Sequence, residues 1–381
     1  MWIWERAEWP AFELDEASLG PILREVAELA EQLGVRVGKG ERAAQEDFSL
    51  NQLIDSVVDS YEIEGEHLQR SSVRSSFIQS FHGAAFTSKP GDAQAEALSS
   101  LYRELLTTPN RRFTHGSFYR IHAAVLDELT AVHWGHNRGA YREKREPMRV
   151  VSAGPGPNER IHYEAPPSSV VFAEMQDFID WLNAPLEERG LAPWLELALA
   201  HLWFLSIHPF DDGNGRSARV LSDWMMMRIR ADGHGLAPLT TTIQQHKQAY
   251  GDLLEETQRG ALDVTRWCAW FLERVLESLH AALEQWELSV ARTRRTALFW
   301  DAFSAVRFRD EQKKLIERLL EGGEGNFPQG IKRSQYQSMA RVAAATATRH
   351  LQELVALGVL IARGEGKATR YSLNSAAFDA G

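Results

Sequence analysis

The chain has 381 residues and a formal net charge of −10 at pH 7, with 44% hydrophobic and 25% charged residues. That length suits two or three domains, the composition is that of a folded globular chain, and the acidity excludes a protein that coats nucleic acid along its whole length. The charge is uneven: residues 301–381 carry 12 Lys+Arg against 9 Asp+Glu, a net of +3, and the first 300 carry 30 against 43, a net of −13. A nucleic-acid contact therefore belongs, if anywhere, to the C-terminal end.

The N-terminal stretch Met1-Trp2-Ile3-Trp4-Glu5-Arg6 lacks a basic segment followed by an apolar one, so no signal peptide is expected. Between residues 19 and 34, Leu19, Ile22, Leu23, Val26, Leu29 and Leu33 recur at spacings of three and four, which predicts a helix. A second helix is expected from about Leu50 to Leu68, with Ser49 as its N-cap. Further helices are expected over Phe113–Leu129, Val171–Leu182, Trp194–Ile207, Ser217–Ile229 and Thr265–Leu288. Residues 135–167, with four glycines and five prolines around Met148-Arg149-Val150-Val151, read as a loop with a short strand or hairpin. The segment Trp194–Ile207 is interrupted by Glu196 and His201 and is too short to span a bilayer, so it reads as a buried core helix and no membrane contact is expected. The single cysteine, Cys268, excludes an internal disulfide and fits a reducing compartment, so a cytoplasmic location is expected.

The last 80 residues read as a small separate domain. A helix over Glu311–Leu320 precedes the break Gly322-Gly323-Glu324-Gly325-Asn326; Arg333–Ala340 and Ala344–Leu357 read as a helix pair; Val359-Leu360-Ile361 and Thr369–Leu373 read as strands around the turn Gly364-Glu365-Gly366-Lys367. Helix pair plus hairpin resembles a winged helix-turn-helix. Residues 332–371 carry 7 Lys+Arg against 2 Asp+Glu, and Arg341, Thr346, Thr348, Arg349 and His350 are the candidates to face DNA. A protein-interaction or dimerisation platform is the competing reading. The expected organisation is mainly α: an N-terminal helical region over 1–95, a helical core with a small hairpin over 96–295, and the C-terminal domain over 300–381.

The richest chemistry lies in His208-Pro209-Phe210-Asp211-Asp212-Gly213-Asn214-Gly215-Arg216-Ser217-Ala218-Arg219. A histidine that can act as a base near neutral pH precedes a Gly-Asn-Gly turn that opens a helix. Backbone N–H groups at such a turn bind anions, and arginine forks match phosphate oxygens. Asp212 suits a hard cation that bridges phosphates, Asp211 reads as a solvated or turn residue, and Phe210 as a core anchor.

These residues resemble the HxFx(D/E)GNGRxxR signature of the Fic family, which is associated with AMP transfer onto protein hydroxyls, and every fixed position is filled. The resemblance implies a helical core that uses ATP and Mg2+ and a protein target bearing a Ser, Thr or Tyr hydroxyl. By it, His208 is the general base, Asp212 the magnesium ligand, and Asn214 and Arg216 contact the α- and β-phosphates. Arg219 reaches the γ-phosphate, and Phe210, Asp211, Gly213 and Gly215 complete the ATP loop. Tyr250, in Ile243–Tyr250, corresponds to a segment that borders the adenine; Gly251 stands where a second tyrosine is common. Val150 and Val151 lie where the family carries a flap that aligns the target by strand addition; an ordinary surface hairpin is the other reading.

Ser60-Tyr61-Glu62-Ile63-Glu64-Gly65 matches the family's inhibitory pattern (S/T)xxxE(G/N). It implies that Glu64 pairs with Arg219 and so denies it to the γ-phosphate, that Ser60 seats the helix, and that Gly65 completes the pattern. The start Trp2-Ile3-Trp4 through Trp9-Pro10 resembles the N-terminal segment of one bacterial subgroup. Two other functions stay open: removal of AMP from a modified protein, with Glu64 positioning water, and a DNA-binding regulator whose core senses nucleotide. Related proteins often dimerise, which leaves a homodimer open.

Overall fold

The computed structural model describes residues 1–82, 93–152, 160–185, 190–229, 237–322, 327 and 329–379. The chain divides into two compact units, Met1–Gly40 with Gln45–Gln285, and Glu41–Ala44 with Trp286–Gly381.

The first unit is built from helices. In chain order they are α1 (Glu16–Gly38), α2 (Arg42–Ile63), α3 (Arg70–His82), α4 (Ala93–Thr107), α5 (His115–Val125) and α6 (Glu128–Trp134). The hairpin β1 (Arg149–Ser152) and β2 (Arg160–Glu164) follows, then α7 (Ser168–Asn183), α8 (Pro193–Ile207) and α9 (Asn214–Ile229). Next come α10 (Leu239–Gln245), α11 (Lys247–Gln258) and α12 (Thr265–Ala302), within which the boundary between the units falls.

The centre of this unit is α8. Every residue from Trp194 to Ile207 is buried, including Glu196 and His201, as expected for a helix that is apolar all round. Pro193 occupies its first turn, where a missing N–H costs nothing. Helices α1, α7 and α9 pack against it, and Trp267 of α12 donates its indole N–H to Ala198 O at 2.9 Å.

Several boundaries differ from expectation. Helix α2 starts at Arg42, so Ser49 lies inside it and is not an N-cap. It stops at Ile63 because Gly65 takes φ +80°, a left-handed conformation that suits glycine and ends helices; the Glu66 N–H then returns to Tyr61 O at 3.0 Å. The helix expected over Phe113–Leu129 is two, because Leu126 adopts extended angles after α5. Helices α3, α4, α10 and α11 were not among the expected elements.

In the hairpin, Arg149 pairs with Glu164, Val150 with Tyr163, Val151 with Ile161 and Ser152 with Arg160. The register shifts between Val150 and Val151, which leaves His162 as the extra residue of a β-bulge. Residues 153–159 lie outside the described residues.

The second unit contains α13 (Asp310–Glu321), β3 (Ile331–Lys332), α14 (Arg333–Ala340), α15 (Ala344–Ala356), β4 (Leu360–Arg363) and β5 (Arg370–Leu373), with an antiparallel sheet in the order β3-β5-β4. Leu315, Ile316, Ile331, Tyr336, Leu351, Leu354 and Leu360 lie in its core. Arg341 and Arg349 are exposed. His350 does not face outward: it is 3% exposed and its Nδ1 shares a 2.9 Å hydrogen bond with the Tyr336 hydroxyl. Of the expected break after α13, Gly322 is described, with φ +63°, and 323–326 lie outside the described residues.

Candidate functional site

Helix α8 ends at His208, which turns out of the helix at φ 50°, ψ 60°. Its Nδ1 lies 3.3 Å from Leu205 O. A carbonyl only accepts, so Nδ1 carries the proton and Nε2 is left as the basic nitrogen. Burial and the neighbouring Arg142 guanidinium push the His208 pKa down to about 4, so the imidazole is neutral at physiological pH.

The loop from Phe210 to Asn214 is closed by the Asn214 side chain. Its Oδ1 accepts the Phe210 N–H at 3.0 Å and its Nδ2 donates to Phe210 O at 2.8 Å. Asn214, expected to orient phosphates, has its amide engaged in holding this loop. Phe210 is fully buried and stacks on His122, with centroids 3.9 Å apart and planes 5° apart. His122 accepts the Gly139 N–H at Nδ1 (3.0 Å) and donates from Nε2 to Asp212 O (3.1 Å). Asp211 is not solvated: its side chain is 5% exposed, lies 3.9 Å from Lys144 Nζ, and accepts the Asn137 N–H at 3.3 Å. Asp212 accepts the Gly213 N–H at 2.6 Å, and its side chain is 42% exposed.

Helix α9 opens at Asn214. The N–H groups of its first turn have no partner within the helix, and the helix dipole favours an anion there. Two buried arginines flank them. Arg216 reaches Glu66 Oε2 at 3.0 Å and Asp212 Oδ2 at 3.7 Å, and its guanidinium lies 5.0 Å from the centre of the Tyr61 ring. Arg219 donates from Nε to Ser60 Oγ at 2.8 Å, and from Nη2 to Ser60 O at 2.9 Å and Glu64 Oε1 at 2.7 Å.

Glu64 also sits directly over the start of α9. A Cβ on Gly215 would meet Glu64 Oε1 at 2.6 Å, an approach that a side chain at 215 would block. Burial alone would raise the Glu64 pKa; the Arg219 guanidinium, with Arg216 and Lys247 farther off, outweighs it and holds the carboxyl below the ordinary carboxylate value.

The contact between α2 and α9 is a ladder at four-residue steps. Glu64 meets Gly215 and Arg219, Ser60 meets Arg219, and Ser56 Oγ donates to Asp223 Oδ2 at 2.6 Å. The Tyr102 hydroxyl reaches the same oxygen at 2.6 Å. Four-residue steps align side chains on one face of each helix.

Tyr250 and the two hairpin valines complete the expected set. Tyr250, expected beside the adenine, is 7% exposed and shares a 2.9 Å hydrogen bond through its hydroxyl with His201 Nε2, while His201 Nδ1 meets Ser222 Oγ at 2.8 Å. Val150 and Val151 are 38% and 41% exposed on β1.

Three contributors escaped the sequence reading. Arg142, 3% exposed, donates to His208 O (2.8 Å), Ile207 O (3.4 Å) and Pro166 O (2.5 Å), tying the end of α8 to the chain after β2; no local pattern marks it. The Tyr163 hydroxyl donates to Ser206 O, and its ring centre lies 6.3 Å from that of His208. Glu66 holds Arg216; the acidic repeat Glu62, Glu64, Glu66 is visible in the sequence but does not single it out.

Residues 112–226 match the family model described as Fic/DOC family. This region is a Fic domain. Residues 2–82 match a second model, described only as a domain of unknown function (DUF4172). The chain is also similar to protein adenylyltransferases over a shorter stretch: fic-1 of Caenorhabditis elegans is 35% identical over 85 residues, which is 22% of this chain and 15% of that protein. The protein adenylyltransferase Fic of Drosophila grimshawi is 41% identical over 76 residues, 20% of this chain and 14% of that protein. These matches span about a seventh of the relatives' length. A Fic domain-containing signaling protein from Bacteroides thetaiotaomicron shares the fold at a TM-score of 0.52 and 18% identity, covering 69% of this chain and 97% of that one. Among the described residues no helix is long and apolar enough to cross a membrane.

Proposed function

We propose that the chain is a protein adenylyltransferase that moves AMP from ATP to a Ser, Thr or Tyr hydroxyl, and that its own α2 holds it inactive. The observation that carries this reading is the convergence on one loop of a neutral imidazole, a helix N-terminus and two buried arginines. The target oxygen attacks the α-phosphorus, its proton passes to His208 Nε2, and pyrophosphate leaves. The first turn of α9 and Arg216 hold the phosphates, and Arg219 meets the terminal one; fixed donors of this kind stabilise charge that develops in the transition state.

Asp212 fits a single hard cation. Its side chain is 42% exposed beside the start of α9, and magnesium is an ion content with one or two carboxylates plus phosphate oxygens and water. When bound, it would neutralise phosphate charge.

The inhibitory reading rests on where Glu64 lies. It takes a donor of Arg219 and covers the start of α9, so a carboxylate stands where a phosphate would go. Glu66 does the same to Arg216 from the other side of Gly65. For the second unit, the order helix, strand, helix, helix, hairpin supports a winged helix-turn-helix, with exposed Arg341 and Arg349 as its cationic surface.

The test uses a Glu64→Gly protein with ATP labelled at the α- or the γ-phosphate. AMP transfer places α-label on protein and γ-label on none, and adding His208→Ala abolishes the α-label. γ-Label on protein would mean phosphoryl transfer and reject the reading.

A further inference from the structure

The N-terminal tryptophans and α11 meet on strand β2. Trp4 donates its indole N–H to Glu164 O at 2.8 Å. Trp2 stands edge-on to Tyr163, with centroids 5.4 Å apart and planes at 81°. Ile3 between them is fully buried, which pins the turn, and Arg6 reaches Gly260 O at 3.0 Å. From α11, Glu255 takes Arg160 with Oε1 at 2.9 Å and His162 with Oε2 at 2.5 Å. Arg259, just past its end, donates to Ile161 O and, at 3.4 Å, to His162 O, and its guanidinium lies 5.0 Å from the Trp2 ring centre.

An isolated two-stranded hairpin is marginal in water, so this one needs outside support. The support falls on β2, whose carbonyls at 161, 162 and 164 each take a side-chain donor. Arg160 and His162, two residues apart on β2, both reach Glu255, as residues on one face of a strand do. Strand β1, by contrast, is exposed along its length and takes its position from β2 through the pairing of Val150 with Tyr163. Tyr163 in turn touches His208 and holds Ser206 O.

We infer that Trp2, Trp4, Glu255 and Arg259 form a clamp on β2 that sets where β1 presents an acceptor polypeptide to His208. They are positioning residues, and the clamp gives the first turn of the 2–82 segment a role. The inference rests on the reading of the site as an AMP transferase.

A polypeptide acceptor needs β1, whereas water does not. Trp4→Phe keeps an aromatic ring and loses the N–H; Glu255→Gln keeps the shape and loses the charge. Each is made in the full chain with Glu64→Gly, and α-labelled ATP is followed into protein-bound AMP and into free AMP. Misplacement of about 1 Å lowers a rate by as much as roughly a hundred-fold, so protein-bound AMP is expected to fall on the order of ten- to a hundred-fold. Free AMP is expected to stay within about two-fold of the parent. Hydrogen exchange at the amides of 160–164 is expected to quicken in both variants. Equal loss of both products, no loss of protein-bound AMP, or unchanged exchange at 160–164 would each overturn the proposal. If the Glu64→Gly parent makes neither product, the transferase reading fails and acceptor presentation with it; exchange at 160–164 then decides the clamp by itself.

Discussion

Glu64 places one carboxylate oxygen 2.7 Å from Nη2 of Arg219. The same oxygen lies 2.6 Å from where a Cβ on Gly215 would stand. One side chain therefore acts in two ways on the start of α9: it spends an arginine donor and it fills space above the helix N-terminus. Ser60 supports the arrangement by accepting from Nε and from the same Nη2 of Arg219, and Asp223 anchors Ser56 one turn earlier in α2.

Glu66 makes the corresponding contact with Arg216, but its side chain is 49% exposed. An exposed partner contributes at most about 1 kcal/mol, roughly five-fold. In the Glu64→Gly protein, adding Glu66→Gln is expected to tighten ATP binding by up to that factor, read by titration calorimetry. A weaker affinity would contradict the contact as a restraint.

Gly215→Ala is expected to fail as a route to activation, although it would push Glu64 away. On the proposed reading the new methyl stands where the phosphate approaches, and overpacking costs about 1–3 kcal/mol. ATP affinity should fall by that amount even with Glu64→Gly in place. Unchanged affinity would move the phosphate site away from Gly215.

The pH dependence follows from His208. Burial and Arg142 hold its pKa at about 4 against an ordinary 6.5. The neutral, basic form therefore persists well into the acid range. In the Glu64→Gly protein the acid limb of the rate profile is expected near pH 4, or at the onset of unfolding if that comes first. A limb centred at 6.5 would contradict it.

Asp223 should mark stability rather than rate. Burial raises its pKa from 3.8 to about 6, with hydrogen bonds from Ser56 and Tyr102 and the charge of Arg219 opposing the rise. The folded chain then binds more protons than the unfolded one between those values, so its contribution is present below pH 3.8 and is lost as pH rises through about 6. The stability difference between the native chain and Asp223→Asn, from urea unfolding, is expected to shift by roughly 3 kcal/mol across that window. A flat difference would place the raised pKa elsewhere.

Much of the site was legible because its residues are contiguous. The stretch from His208 to Arg219 carries a helix end, a turn and a helix start, and each is a local property. Of the two ladders, the resemblance pairs Glu64 with Arg219, whereas the contacts of Ser60 with Arg219 and of Ser56 with Asp223 come from the tertiary structure. Arg142 and Tyr163 act through carbonyls of distant residues, and a carbonyl leaves no trace in a sequence. Asn214 shows the limit of a local reading, since its amide closes the loop through the Phe210 backbone. His350 shows the same limit, because Tyr336 draws it into the core. Among the unforeseen helices, α3 has a serine-rich sequence, which hides Val73 and Phe77 among residues that favour turns.

The central claim is that Glu64 withholds Arg219 from ATP, and the rate of AMP transfer tests it most directly. Incorporation of α-labelled ATP into protein would be compared for the native chain, Glu64→Gly, and Glu64→Gly with His208→Ala. A coupling of about 1–3 kcal/mol predicts a rise of roughly 5- to 150-fold for Glu64→Gly, abolished by the second substitution. Equal incorporation by the native chain and Glu64→Gly would contradict the account.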